Sequence, residues 1–212
     1  MKNNVTELVC ILDRSGSMAG LESDTVGGFN AMLEKQKEKG GTVYVSTVLF
    51  DRESRILHDR VRIEEVKPMT RRDYWVRGNT ALYDAVGDAI LHIENIHKYA
   101  RPEDVPAHTV FIITTDGMEN ASRRYFGREI KARIKEKTEK QGWEFIFLAA
   151  NIDAIEAAEE IGICRERAAN YAPTGRGVER SYHAMSEAIT AIRDDRDEAI
   201  DLDAYLKDDE DE

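Results

Sequence analysis

The chain has 212 residues, 42% of them hydrophobic and 33% charged, with a formal net charge of −11. That length suits one ordinary domain with a sizeable core, and the apolar share excludes a wholly disordered chain. Four Pro and 14 Gly exclude collagen-like and low-complexity classes. The charge is concentrated: from Asp194 to Glu212 eleven acids face only Arg196 and Lys207, so the rest of the chain lies within two charges of neutral. The expected organisation is therefore a domain over 1–193 and an acidic, mobile tail over 194–212. Binding of nucleic acid through net charge is disfavoured.

In chain order, Leu8-Val9-Cys10-Ile11-Leu12 is a continuous apolar run, the signature of a strand buried on both faces. Val26, Phe29 and Leu33 follow at helical spacing and stop at Gly40-Gly41. Val43 to Phe50 predicts a second strand, and Ile56 to Val66, with interleaved charges, an edge strand. Leu82, Val86, Ile90, Ile93 and His97 form a helical stripe that Asn79 or Thr80 can cap. Val110 to Thr115 is β-branched almost throughout. Phe126, Ile130 and Ile134 predict a helix ending at Gly142, and Phe145 to Ala149 another buried strand. Asp153 with Glu156 resembles a capping box for a short helix ending near Gly162. Ala168 to Tyr171 is a second candidate edge, and Tyr182, Met185, Ile189 and Ile192 mark the last helix. This alternation predicts an α/β fold: a doubly wound, mostly parallel central sheet with helices on both faces and one antiparallel edge strand.

The start of the chain has no basic segment followed by a long apolar one, and no run approaches the roughly 18 apolar residues of a membrane helix. A cytoplasmic protein without membrane contact is expected. Cys10 and Cys164 stand far apart in apolar contexts and read as free core thiols.

Ligands of such sheets bind outside the carboxyl ends of the strands, near the point where the strand order reverses. The polar residues at those ends are Asp13, Ser15 and Ser17 after the first strand, Thr80 in the turn Gly78-Asn79-Thr80, and Asp116 after Thr115. Two carboxylates and three hydroxyls form an all-oxygen set suited to a hard octahedral cation, Mg²⁺ or Mn²⁺. Zn²⁺ is disfavoured, because no His or Cys stands at ligand spacing near these loops.

Asp13-x-Ser15-x-Ser17, Thr80 after Gly-x-Thr, and Asp116 in Thr-Asp-Gly together resemble the metal-ion-dependent adhesion site of von Willebrand factor A domains, a resemblance covering roughly residues 5–193. The stretch Gly78-Asn-Thr80-Ala-Leu-Tyr-Asp84-Ala looks most like the bacterial stand-alone branch that includes tellurium-resistance-type proteins. The resemblance implies that Ser15 and Ser17 bind the cation directly, that Thr80 does so when a partner is engaged, and that Asp13 and Asp116 act mainly through bound waters. It implies recognition rather than turnover: the cation captures an Asp or Glu of a protein partner. It also implies a setting of bacterial stress resistance, beside an ATPase or kinase of the same complex.

Two other classes compete. A Mg²⁺-dependent phosphohydrolase resembling the haloacid dehalogenases needs Asp-x-Asp, where this chain has Asp13-x-Ser15. A structural domain with a vestigial metal site is the third reading. A Ser hydrolase lacks its Gly-x-Ser-x-Gly elbow, and Ser15 to Gly20 lacks the Lys-Ser or Lys-Thr of a phosphate loop. Beside the site, Tyr74, Trp75 and Arg77 are residue types enriched at interface hot spots and are candidates for partner binding. Asp84 and Asp88 read as helix-dipole partners and surface charge. Arg124, Arg128, Lys131 and Lys135 form a basic stripe, with Glu129–Arg133 and Glu136–Lys140 as expected ion pairs.

Overall fold

A computed structural model describes residues 4–196 and 200–208. Six strands, β1 (Val5–Asp13), β2 (Thr42–Phe50), β3 (Ser54–Arg62), β4 (His108–Thr115), β5 (Glu144–Ala149) and β6 (Ala168–Asn170), form one sheet in the order β3-β2-β1-β4-β5-β6. All neighbours pair in parallel except β2 and β3. The expected fold is therefore present, antiparallel edge included. That edge is shorter than the Ile56–Val66 run: the chain leaves the sheet after Arg62 for a 3-10 turn at Ile63–Glu65. The β2–β3 pairing also slips near Thr47, where Arg60 adopts a positive φ of 51°.

Helices α1 (Glu22–Glu38), α5 (Gly175–Arg193) and α6 (Leu202–Asp208) cover one face, and α2 (Leu82–Tyr99), α3 (Gly127–Gln141) and α4 (Ala154–Glu160) the other. Strand β1 serves both: Leu8, Cys10 and Leu12 point into the first layer, Val9 and Ile11 into the second. This two-sided burial is why its sequence shows no alternation. Each fully buried aliphatic or aromatic side chain contributes about 1.5–3 kcal/mol of transfer free energy. Among the described residues no helix is long and apolar enough to cross a membrane.

Several local expectations are corrected. Neither Asn79 nor Thr80 caps α2; its N-cap is Ala81, with no side-chain bond, which leaves the Thr80 hydroxyl available. Phe126 is 60% exposed, because it precedes α3, whose buried positions are Ile130, Ile134 and Lys137. Glu129 accepts the Phe126 amide at 2.9 Å rather than pairing with Arg133, which lies 3.9 Å from Glu94. The Glu136–Lys140 pair is present at 3.0 Å. The basic stripe is broken up: Arg124 lies before α3 and binds Asp88, and Lys131 donates to the Glu159 carbonyl. Asp153 does cap α4, accepting the amides of Ile155 and Glu156.

Both thiols are free, but only Cys10 is buried; Cys164 is exposed at the start of a 3-10 turn. The domain does not stop at Arg193. Ile200 and Leu202 are buried in the same apolar layer as α1 and α5, with Tyr205 and Leu206 packed against it. The segment read as a mobile tail thus carries a short docked helix, and residues 197–199 and 209–212 of that reading lie outside the described residues.

Candidate metal centre

The sheet order reverses between β1 and β4, and the C-terminal ends of these two strands carry the predicted acids. Asp13 closes β1 and is fully buried. Its Oδ1 accepts the Ser15 amide at 2.6 Å, and its Oδ2 accepts the Thr115 hydroxyl at 2.6 Å from the end of β4. Burial raises its pKa to about 6, against the opposing hydrogen bonds from Thr115 and Ser15 and with the neighbouring Asp116 charge adding.

Ser15 and Ser17 turn their hydroxyls toward each other at 3.0 Å. The loop that holds them is tied down by the Arg14 amide on Phe50 and the Gly16 amide on Gly78. Thr80 is buried and fastened to Asn120 twice: its amide donates to the Asn120 side-chain oxygen at 3.0 Å, and its carbonyl accepts the Asn120 amide at 3.0 Å. The site converges at Gly117. A Cβ there would lie 3.2 Å from Ser17 Oγ and 3.3 Å from Thr80 Oγ1, so the absence of a side chain leaves both hydroxyls facing one small space.

Asp116 adjoins that space. It is buried, and among the described residues neither carboxylate oxygen has a hydrogen-bond partner. Burial pushes its pKa up, only partly offset by the nearby Ser17 hydroxyl and its own backbone amide. Buried polar groups are nearly always satisfied, so an unpartnered buried carboxylate at this position is chemically suited to a positive ligand. Among the described residues no three His, Cys, Asp or Glu side chains gather into a metal cluster. The convergent donors are instead two carboxylates and three hydroxyls, which fit a hard cation. All five predicted site residues thus stand around one crevice.

The loops around the crevice are stitched together by residues outside the five predicted site positions. Asp84, read as surface charge, is largely buried and accepts the amides of Arg123, Arg124 and Tyr125 at 3.0, 2.9 and 3.0 Å. Glu119 accepts the amides of Tyr83, Ala121 and Ser122 and the Ser122 hydroxyl. The one local hint was Glu119-Asn-Ala-Ser122 itself, a polar turn-forming tetrad. Gly87 permits a close approach, since a Cβ on it would meet the Tyr125 ring at 2.6 Å.

The aromatic candidates divide. Tyr74 is buried and its hydroxyl donates to the Asp13 carbonyl, so it supports the loop and is not free to touch a partner. Trp75, its neighbour, is 42% exposed and its ring meets two guanidinium groups, Arg14 at 4.8 Å and Arg77 at 4.6 Å. Both arginines converge on Asp51, at 3.0 and 2.8 Å. Trp75 and Arg77 therefore remain at the rim and Tyr74 leaves the list.

No protein-family model matches the chain, and no curated protein matches its sequence. Solved structures do match, at low identity. Proximal thread matrix protein 1 from the mussel byssus aligns with a TM-score of 0.59 and 13% identity over 89% of this chain. The D319A mutant of the PilB minor pilin from Streptococcus sanguinis gives 0.60 and 11% over 92%, and a von Willebrand factor type A protein from Catenulispora acidiphila gives 0.57 and 11% over 87%. The chain spans 47%, 62% and 42% of those three chains. The fold is von Willebrand factor A-like.

Proposed function

We propose that this chain, whose fold is von Willebrand factor A-like, is a divalent-cation-dependent protein-binding module and not an enzyme. Asp13, Ser15, Ser17, Thr80 and Asp116 would hold Mg²⁺, with Mn²⁺ as an alternative. A bound cation would supply one strong electrophilic position able to accept an Asp or Glu carboxylate from a partner. The observation that carries the reading is the buried Asp116 carboxylate with both oxygens orphaned. The protein's own part is positional. Thr115 and the Ser15 amide orient Asp13, Asn120 fixes Thr80, and Gly117 keeps the space between the hydroxyls open. The phosphohydrolase alternative gains no support, because no second acid stands beside Asp13 on the first loop. A bacterial stress-resistance setting and an ATPase or kinase as partner stay proposals that follow from the sequence resemblance alone.

The test is thermal unfolding with and without Mg²⁺. A cation at a hundredfold its dissociation constant stabilises by about 2.7 kcal/mol. At about 2–4 °C per kcal/mol for a chain of this size, Tm rises by about 5–10 °C. Chelation reverses the rise, and Ser15→Ala combined with Asp116→Ala abolishes it. An equal rise in that double variant sinks the reading.

A further inference from the structure

Beside the metal centre lies a polar cleft of about 900 Å³ that the five site residues do not use. It opens next to Thr80, between Asn79 and Asn120, and runs between the β2–β3 turn and the loop over 120–124. Its formal charges balance, Arg52, Arg123 and Arg124 against Glu53, Asp84 and Asp88, but they are unevenly paired. Asp84 accepts three amides and faces the Arg124 guanidinium at 3.5 Å, Asp88 is held by the same guanidinium at 2.7 and 2.6 Å, and Glu53 faces Arg77. Every acid lining the cleft is thus engaged. Arg52 and Arg123 line it too, both exposed, and neither guanidinium has a hydrogen-bond or ion-pair partner among the described residues.

Both arginines are nevertheless held at the root. The Arg52 stem packs over Gly78, where a Cβ would lie 3.6 Å from its Nε, and Gly78 accepts the Gly16 amide of the Ser15–Ser17 loop. The Arg123 amide is bonded to Asp84 at 3.0 Å. Two unpaired cationic heads are therefore carried from anchored positions on one side of the crevice. The other side has the opposite sign: a pocket of about 360 Å³ next to Gly117 is lined by Asp153, Glu156 and Glu160. Charge complementarity across an interface fixes register and orientation, and like charges brought together are penalised.

Resting on the metal-dependent reading above, we infer that the partner segment is polyacidic: one carboxylate goes to the metal centre, and a second acid close by in sequence lies in the cleft against Arg52 and Arg123. The acidic side pocket excludes the reverse orientation. The preferred partner is a peptide segment with clustered Asp or Glu, rather than a single acid in a neutral context.

The test uses two labelled nonapeptides of glycine and serine, one with a single central glutamate and one with three consecutive glutamates. Binding is read by fluorescence anisotropy in Mg²⁺ and in chelator at low ionic strength. The wild-type chain favours the triacidic peptide by about tenfold in Mg²⁺, the order expected for two partly exposed ion pairs. Arg52→Glu and Arg123→Glu, singly and together, reduce that preference to about twofold or less, while the Mg²⁺-induced rise in Tm stays as in wild type. A preference that survives the double reversal, or a wild type without preference, overturns the inference while leaving the metal reading intact. Binding that depends on the arginines but ignores chelator overturns the two-point attachment. Loss of the Mg²⁺ rise in the wild type itself identifies failure of the metal reading.

Discussion

Replacing Asp84 by Asn separates two physical roles that differ several-fold in energy. As a first-turn acid on α2, Asp84 would contribute through the helix dipole about 0.3–1 kcal/mol. As the acceptor of the Arg123, Arg124 and Tyr125 amides, it makes three charge-assisted bonds at 2.9–3.0 Å. Each such bond contributes about 1.5–3 kcal/mol net, but they share one carboxylate and do not add fully. Asn keeps the Oδ1 acceptor for two of the amides and turns an NH₂ donor toward the third, so a loss of about 2–4 kcal/mol is expected. The pH dependence follows from the same contacts. Burial alone would raise the Asp84 pKa, but the three amides and the Arg124 guanidinium outweigh it and hold the carboxyl below its usual value. Its contribution is therefore fully present above the unfolded pKa of about 3.9 and disappears as pH falls through the lower folded value. Urea unfolding of wild type and Asp84→Asn at pH 7, repeated at falling pH, measures both. A difference of about 0.5 kcal/mol or less at pH 7, or one that does not narrow below about pH 4, refutes the amide-cradle account.

Two further outcomes test other parts of the structure. Gly117→Ala places a methyl 3.2 Å from Ser17 Oγ and 3.3 Å from Thr80 Oγ1, so the Mg²⁺-induced rise in Tm should fall by at least half while Tm without the cation moves by about 2 °C or less. With a thiol reagent under native conditions, exposed Cys164 should react and Cys10 should not, because burial pushes the Cys10 thiol up to about 12. Two equally fast thiols would contradict the packing of β1.

The sheet was legible in the sequence because strands buried on both faces leave long apolar runs, as in β1, β4 and β5. The five candidate site residues were legible for the complementary reason: they are polar residues at strand ends and turns that belong to no core pattern. What escaped was contact across loops. Nothing in the period of α2 distinguishes Asp84, whose partners lie about 40 residues on, from Asp88, whose partner is a surface guanidinium. Tyr74 and Trp75 are adjacent in an irregular segment, where no periodicity tells which ring turns inward. At the C-terminus the density of acids masked Ile200 and Leu202, which are buried in the core layer with Tyr205 and Leu206 packed against it.

The bond from Thr115 to Asp13 joins residues 102 apart. Thr80 lies between them in sequence but reaches the site only through a third loop. Closing such long segments carries a large entropic term before any contact rewards it, so the crevice exists only after β1 and β4 have paired. A short fragment or an early intermediate has no place to bind a cation. On the proposed reading, an ion held there would act as a late latch on the assembled chain, and its effect would belong to the rate of unfolding rather than to the search for the fold.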